Sequence, residues 1–307
     1  MISFTGSSAA YAKINLVLRI VGRRSDGYHL LSTVMQSVSL HDDVTVSIDF
    51  SERSEHAKPA VSLEQDDRDL PSDEKNTMFR AASEFLREIR LPRARVFISA
   101  KKRIPKMAGL GGGSSDAAAV LRLLNEGFSR PFDRSKLGSI AMKIGADVPF
   151  FLDGGAALCE GIGEIITQIP SFGGLPVLII KPEQGISTPQ AYATYDRESK
   201  HFSIGVRDNP ELTSLFFSDF PEPSERLIRT TPFLSNDLQG AAIEAVPILF
   251  RILEAFRESG CIYSAVTGSG SAVFALYNDP VRRDCARKDI GTRFGNGFFV
   301  FSGETKE

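Results

Sequence analysis

The sequence predicts an α+β protein of two domains, and three observations carry the prediction. The chain has 307 residues, 42% of them hydrophobic, enough to fill two cores at about 150 residues per domain. Stretches with strand alternation and stretches with helical spacing follow one another without the regular βαβ order of a doubly wound sheet. The segment QIPSFGGLP at 168–176, punctuated by Pro and Gly, reads as a linker and divides the chain into 1–168 and 169–307.

The elements follow in order. Residues 12–21, AKINLVLRIV, alternate and are rich in Ile, Leu and Val, so they form a strand, and GRRSDGYH turns after it. Residues 31–40 and 43–50 predict two further strands. Residues 51–76 are polar and broken by prolines, which predicts mostly loop. After Asn76, the residues Met78, Ala82, Phe85, Leu86 and Ile89 recur at helical spacing. RARVFISA is a strand and KKRIPKMAGLGGG a loop. A helix starts near Ser114 or Ser115: serine caps well, Asp116 suits a first turn and AAAVLRLLN has high helix propensity. A second helix covers 134–144 and is closed by Gly145. VLIIKP opens the second domain as a buried strand, helices are expected over 189–195 and 238–259, and SAVTGSGSAVFALY reads as strand, glycine turn, strand. Residues 196–237 and the tail beyond Tyr277 carry no usable pattern.

Composition narrows the function classes. A net charge of −2 leaves no electrostatic footprint for nucleic acid or an anionic membrane as partner. Cys159, Cys261 and Cys285 are distant from one another and odd in number, which argues against a disulfide framework or a zinc site and for the reducing cytoplasm. The apolar stretch near the N-terminus is interrupted by Lys13, Asn15 and Arg19, unlike a secretion signal. No uncharged apolar run approaches the length of about 20 residues that spans a bilayer. His29, His41, His56 and His201 show no metal-ligand spacing.

The stretch PKMAGLGGGSSDAA (105–118) is the strongest local signal. Glycine is costly to order, so such a run serves either as a flexible linker or as a loop whose backbone meets a ligand. Linkers are not normally fused to a strong helix start. A glycine loop leading into a helix N-terminus offers unpaired N–H groups and partial positive charge to an anion, and Lys101, Lys102, Arg103 and Lys106 add to it. The loop lacks the Lys-Ser/Thr ending of a Walker A motif, and Ser114 stands where GxGxxG needs its last glycine.

Other residues admit two readings. Lys13 interrupts an apolar strand, as a structural ion-pair partner or a functional ammonium would, and Asn15 faces the same way. Asp147, between Gly145 and Pro149, fits a turn as well as a general base. Asn76 fits a helix N-cap. The pair Tyr28–His29 fits packing, and TGSGS at 267–271 fits a tight hairpin or an anion nest.

With the glycine loop, the blocks AKINLVL, RSDGYH, GADVPFFL, GIGE and TGSGS make the chain resemble the GHMP kinases, the galactokinase–homoserine kinase–mevalonate kinase superfamily, from about residue 12 to residue 274. The resemblance implies a two-domain α+β fold: an N-terminal ribosomal S5 domain 2-like ATP-binding domain, a C-terminal ferredoxin-like domain, and the active site in the cleft between them. It implies ATP on Pro105, Lys106, Met107, Ala108, Gly109, Leu110, Gly111, Gly112, Gly113, Ser114 and Ser115, with Asn76 and Lys102 near the adenine. Mg2+ is expected with ATP; Ser115 is the residue that would serve it, and no separate acidic ligand stands out. Lys13 and Asp147 become the catalytic pair. Two roles stay open for Asp147 in that pair: accepting the proton of the acceptor hydroxyl, or orienting that hydroxyl. On the acceptor side the resemblance puts Asn15 near a methylerythritol, Tyr28, His29, Thr188 and Tyr192 around a cytosine, and Gly268, Ser269 and Gly270 against phosphates. The acceptor so implied is a CDP-linked methylerythritol, phosphorylated by ATP on its 2-hydroxyl. A homoserine or mevalonate type of kinase would not need Tyr28, His29 and Tyr192, and a non-catalytic nucleotide-binding protein would not need Lys13 with Asp147. Asp116 departs from the pattern at a position where a neutral residue such as Asn is also common.

Overall fold

A computed structural model of the chain describes residues 3–49, 60–67, 69–89, 94–199, 201–295 and 297–307. The chain divides into two compact units, neither continuous in sequence: 1–12, 41–104 and 111–153 form one, and 13–40, 105–110 and 154–307 the other.

The first unit takes the start of strand β1 (Ser3–Arg23) and the end of β2 (His29–Asp49), with β3 (Ala60–Gln65) and β4 (Arg95–Lys101). The end of β2 pairs antiparallel with β4, Val46 opposite Ile98, and β3 pairs parallel with β4, Val61 opposite Val96. Helices α1 (Thr77–Ile89), α2 (Gly112–Gly127) and α3 (Arg134–Met142) complete the unit. Met78, Ala82, Phe85 and Leu86 are buried on α1 as their spacing predicts, while Ile89, the last of the stripe, is half-buried; Phe85 packs against Phe128 and Phe132 at centroid distances of 5.7 and 5.1 Å.

Several expectations are corrected here. The two expected strands, 31–40 and 43–50, are one strand, β2, over 29–49; residue 50 lies outside the described residues. The polar His41-Asp42-Asp43 reads as a break, but Asp42 takes an inward position between buried Leu40 and Val44 and is itself fully buried. Its carboxylate accepts from the backbone N–H groups of Arg103 and Ile104 and from Lys102, so the strand continues through it. In the expected loop 51–76, residues 60–65 are strand β3; residues 51–59 lie outside the described residues. Helix α2 begins at Gly112, with Gly111 (φ 74°) as its N-cap and no capping side chain. Ser114 and Ser115 therefore stand inside the first turn instead of capping it.

In the second unit the start of β2 pairs antiparallel with β5 (Ala156–Gly161), Val34 opposite Leu158, and β5 with β6 (Ile165–Gln168). A separate antiparallel sheet is formed by β7 (Pro176–Pro182), β8 (Tyr263–Val266), β9 (Val273–Leu276) and β10 (Phe298–Glu304) in the order β10-β7-β9-β8. Its helices are α4 (Thr188–Glu198), α5 (Pro210–Phe217), α6 (Pro223–Thr230), α7 (Gln239–Ala245), α8 (Ile248–Glu258) and α9 (Pro280–Phe294). Leu249, Ile252, Leu253 and Phe256 of α8 and Ala286 and Ile290 of α9 share one core with Leu178, Ile180, Val266 and Val273 of the sheet.

The expected helix 238–259 is two helices. Pro247 cannot donate to the helical ladder and disfavours helical geometry in the residue before it, so α7 stops and α8 begins there. The expected linker 168–176 is pinned: Ile169, Phe172 and Leu175 are buried, and the Phe172 N–H donates to Gln36 Oε1 at 2.9 Å. Arg226 lies over the Phe172 ring at 3.7 Å and donates to the Pro170 and Ser171 carbonyls, both at 2.6 Å. Residues 196–237 hold α5 and α6, each opened by a proline in its first turn.

Candidate active site

In the second unit two glycine segments meet backbone to backbone. Ser271 N–H donates to the Met107 carbonyl (3.3 Å) and Ala272 N–H to the Ala108 carbonyl (3.1 Å). The approach leaves no space for side chains. Gly109 has φ 73°, and a Cβ on it would overlap the Thr267 carbonyl oxygen and lie 3.2 Å from the Gly270 nitrogen. A Cβ on Gly268 (φ 56°) would stand 3.1 Å from the Gly109 carbonyl oxygen and 3.3 Å from Lys13 Nζ.

Lys13 is built into this contact. Its backbone N–H donates to the Leu110 carbonyl (3.0 Å), its side chain is buried, and Nζ donates to Asn15 Oδ1 at 2.6 Å. Asn15 Nδ2 donates to Thr33 Oγ1 at 2.8 Å, and the Asn15 N–H donates to Thr267 Oγ1 at 3.1 Å. The Thr267 hydroxyl lies 3.2 Å from both Asn15 Oδ1 and the Gly109 carbonyl oxygen. A buried ammonium keeps electrostatic reach, because little water surrounds it to screen its charge. Asn236 Nδ2 donates to the carbonyls of Val266 (2.7 Å) and Gly268 (2.9 Å), and Thr188 Oγ1 is 3.2 Å from Ser269 Oγ. Lys106 and Met107 are exposed, and Pro105 is half-buried.

A second cluster of this unit lies around His29. Its ring, 8% exposed, stacks on Tyr192 at 4.7 Å and 19°, and Nε2 is 2.7 Å from Asp196 Oδ1. Asp196 also pairs with Arg23 at 3.2 Å. Tyr28, by contrast, is 62% exposed. A stacked ring that is hydrogen-bonded to a carboxylate cannot swing, so the imidazole is presented in one orientation.

In the first unit the glycine loop becomes a helix start. The first intrahelical bond is Ser115 N–H to the Gly111 carbonyl, 2.9 Å. The N–H groups of Gly112, Gly113 and Ser114 precede that ladder and face no capping side chain, the arrangement that receives an anion. Thr77 Oγ1 ties α1 to the loop by donating to the Gly113 carbonyl at 2.7 Å. Gly112 packs on Ile104: a Cβ there would lie 2.9 Å from Ile104 Cγ2 and 3.7 Å from Asp42 Oδ2.

Beneath this turn Lys102 donates to both Asp42 and Asp116, and its ammonium is 9% exposed. Burial pushes the Asp116 carboxyl up to about 7; Lys102 pulls it down and Asp42 pushes it further up. Burial works against the Lys102 ammonium, but its two carboxylates outweigh that and raise its pKa. Lys102 thus braces the loop from below, and its ammonium is not presented at the surface. Asn76 Oδ1 accepts from Met78 N–H (2.8 Å) and its Nδ2 donates to the Pro71 carbonyl (2.8 Å), the geometry of a cap. Asp147 is half-buried in the turn after α3, where Val148 N–H donates to the Gly145 carbonyl at 3.1 Å.

The sequence reading missed three partners, Asn236, Asp42 and Asp196, and named Thr267 only as part of the TGSGS turn. Asp196 had a signal, since it stands four residues after Tyr192 and so shares its helix face. Asp42 and Asn236 had none, because their partners are distant in sequence. Among the described residues no group of three His, Cys, Asp or Glu could hold a metal ion, and no helix is long and apolar enough to cross a membrane.

Comparison with known proteins places this geometry. Residues 76–155 match the GHMP kinases N terminal domain, and residues 222–296 the GHMP kinases C terminal domain. A curated 4-diphosphocytidyl-2-C-methyl-D-erythritol kinase of Clostridium beijerinckii is 34% identical over 291 residues, 95% of this chain and 98% of that protein. A crystal structure of 4-(cytidine 5'-diphospho)-2C-methyl-D-erythritol kinase superposes with a TM-score of 0.72 at 30% identity, covering 98% of this chain and 100% of the other. A homoserine kinase from Cytophaga hutchinsonii also superposes with a TM-score of 0.72, at 19% identity and 96% coverage of both chains, so the backbone alone speaks for the fold. Identity over nearly the full length of both sequences separates what the backbone does not. The chain belongs to the GHMP kinases, which use ATP to phosphorylate small molecules, and within them to the 4-diphosphocytidyl-2-C-methyl-D-erythritol kinase family.

Proposed function

We propose that the protein transfers the γ-phosphate of ATP to the 2-hydroxyl of 4-diphosphocytidyl-2-C-methyl-D-erythritol, giving ADP and the 2-phosphate, in the non-mevalonate route to isoprenoid precursors. The observation that carries the choice of acceptor is the His29 cluster. An imidazole fixed by Asp196 and stacked on Tyr192, next to an exposed Tyr28, offers ring faces and a directed hydrogen bond to a nucleobase. A homoserine or mevalonate kinase has no use for such a cluster.

In this reading the first-turn N–H groups of α2 and the loop 105–115 receive the ATP phosphates. Lys13, oriented through Asn15 and Thr267, stabilises charge on the transferring phosphoryl group. Asp147 orients the acceptor hydroxyl and takes its proton. Asn15 faces the methylerythritol, Thr188 and Tyr192 wall the cytosine, and Gly268, Ser269 and Gly270 offer backbone to the diphosphate. Lys102 and Asn76 serve the nucleotide by shaping the loop and the start of α1 beside it. An Mg2+ ion carried in by ATP needs few protein ligands, because phosphates and water supply the rest; Ser115, buried in the first turn of α2, is the residue that would hold it. Bound there, it would offset phosphate charge. In this reading acceptor contacts come from both sides of residue 168, and the three cysteines, distant in sequence, suit a cytoplasmic enzyme.

The test is ADP release with the cytidylated methylerythritol, run beside homoserine and mevalonate. Turnover with the first alone is expected, and turnover with either control instead would overturn the acceptor. Asp147→Asn should remove most turnover while the ATP KM stays within a few fold.

A further inference from the structure

Within the second unit, two hollows of 440 and 350 Å³ share Thr231, Cys261 and Ile262 and so form one groove. Its lining contains Arg257 and Arg282 and no Asp, Glu or Lys, although acidic residues outnumber basic ones in the chain, 38 to 36. Arg257 stands in the last turn of α8 and Arg282 in the first turn of α9. The Arg282 guanidinium lies over Gly260, 3.6 Å from where a Cβ would stand. Neither guanidinium has a hydrogen-bond or ion-pair partner among the described residues; the electrostatic neighbour of Arg257 is the Cys261 thiol in the same groove. Their neighbours on α9 differ: Arg283 binds Asp284 and the Gly303 carbonyl, and Arg293 binds Glu258. Unpaired guanidinium groups in a groove without acids present their donors to an anion, and phosphate matches their fork. Between them the shared wall is apolar at Ile262, and Ile228 and Pro232 extend it.

The groove also reaches two side chains that hold the 267–271 turn. Asn236 and Gln239 line it. Asn236 Nδ2 holds the Val266 and Gly268 carbonyls, and Gln239 Oε1 accepts from Val266 N–H at 3.0 Å. These two side chains thus fix the end of β8 and the glycine turn that follows it. A ligand that competes for either amide, or orders it, acts on the turn directly.

We propose that this groove is a second ligand site, for an organic phosphate with a short apolar body, and that its occupation changes acceptor affinity through Asn236 and Gln239. The coupling rests on the reading of residues 268–270 as the acceptor's phosphate contact; the binding does not.

The test is calorimetric titration of n-pentyl phosphate and of inorganic phosphate into protein saturated with ADP and the cytidylated acceptor, so that the phosphate contacts of the active site are filled. One molecule of pentyl phosphate is expected per chain, at least tenfold tighter than inorganic phosphate. Arg257→Gln with Arg282→Gln should weaken it at least tenfold and leave kcat and the melting temperature as they were, since both side chains are exposed. No binding, or binding that ignores the double variant, would overturn the site; equal affinity for both probes would overturn the organic ligand. In ADP-release assays pentyl phosphate should shift the acceptor KM at least threefold in the parent and not in the double variant. An unmoved KM overturns the coupling. If the acceptor is not turned over at all, the proposed activity fails, and titration with ADP alone still reads the groove.

Discussion

Gly109 and Gly174 have nearly the same backbone conformation, φ 73° and 82°, and opposite surroundings. A Cβ on Gly174 would meet nothing within 4 Å, whereas one on Gly109 would overlap the Thr267 carbonyl and crowd Gly270. Gly174→Ala should cost only the left-handed conformation, about 1–2 kcal/mol. Gly109→Ala pays that cost and must also push residues 105–110 off the turn. That loses the bonds from Ser271 N–H to Met107 and from Ala272 N–H to Ala108, at about 0.5–1.5 kcal/mol each. The total is roughly 2–5 kcal/mol. Because Leu110 anchors Lys13 and Thr267 anchors Asn15, the same displacement should lower kcat/KM at least tenfold, while Gly174→Ala leaves it unchanged. Urea unfolding of both variants and steady-state kinetics on both substrates are sufficient. Equal destabilisation by the two substitutions, or a stable Gly109→Ala enzyme with parental kinetics, would refute the close-contact reasoning.

Other consequences can be measured on the same footing. Tyr28→Ala should raise the acceptor KM by about five- to a hundredfold, the scale of base–aromatic stacking, with the ATP KM and melting temperature unchanged because the ring is exposed; Tyr28→Phe should keep most of the affinity. Tyr192→Ala should cost acceptor affinity and also release His29, so a variant that binds the acceptor normally would remove the cluster from the site. The folded pKa of Asp116, about 7 against an ordinary 3.8, means that the native state holds an extra proton between about pH 4 and 7 and loses stability as pH rises through that window. Asp116→Asn should therefore gain on the parent by up to roughly 3 kcal/mol between pH 5 and 8, and a difference that does not change with pH would show that Lys102 keeps the carboxyl ionised throughout.

The local features were legible because they depend on near neighbours. The α1 stripe of Met78, Ala82, Phe85 and Leu86 and the strand around Lys13 follow from periodicity and stand where the sequence predicts them; the glycine run follows from backbone cost, with Gly112 and Gly113 opening α2 instead of preceding it. Lys13 and Asn15 sit two apart on a strand, so their shared face needed no coordinates. Errors arose where a distant partner changed the meaning of a residue. Asp42 looked like a break in a strand because its partners Lys102, Arg103 and Ile104 are some 60 residues away. The stretch 168–176 looked like a linker because Gln36 and Arg226, which hold it, lie far up and down the chain.

The sequence by itself determined the alternation of strands and helices around a glycine loop and, through its ordered motifs, the kinase family. Tertiary structure alone decided what those motifs touch. It put the Gly109 backbone on Thr267, 158 residues on. It took Lys102 out of contact with the surface and gave it to two carboxylates, and it supplied Asp196 to His29 across 167 residues. The physical reason is the range of the forces involved. Propensity, capping and periodicity act over a few residues and can be read in order along the chain. A hydrogen bond between residues far apart in sequence exists only once the packing of the core has paid the entropy of bringing them together.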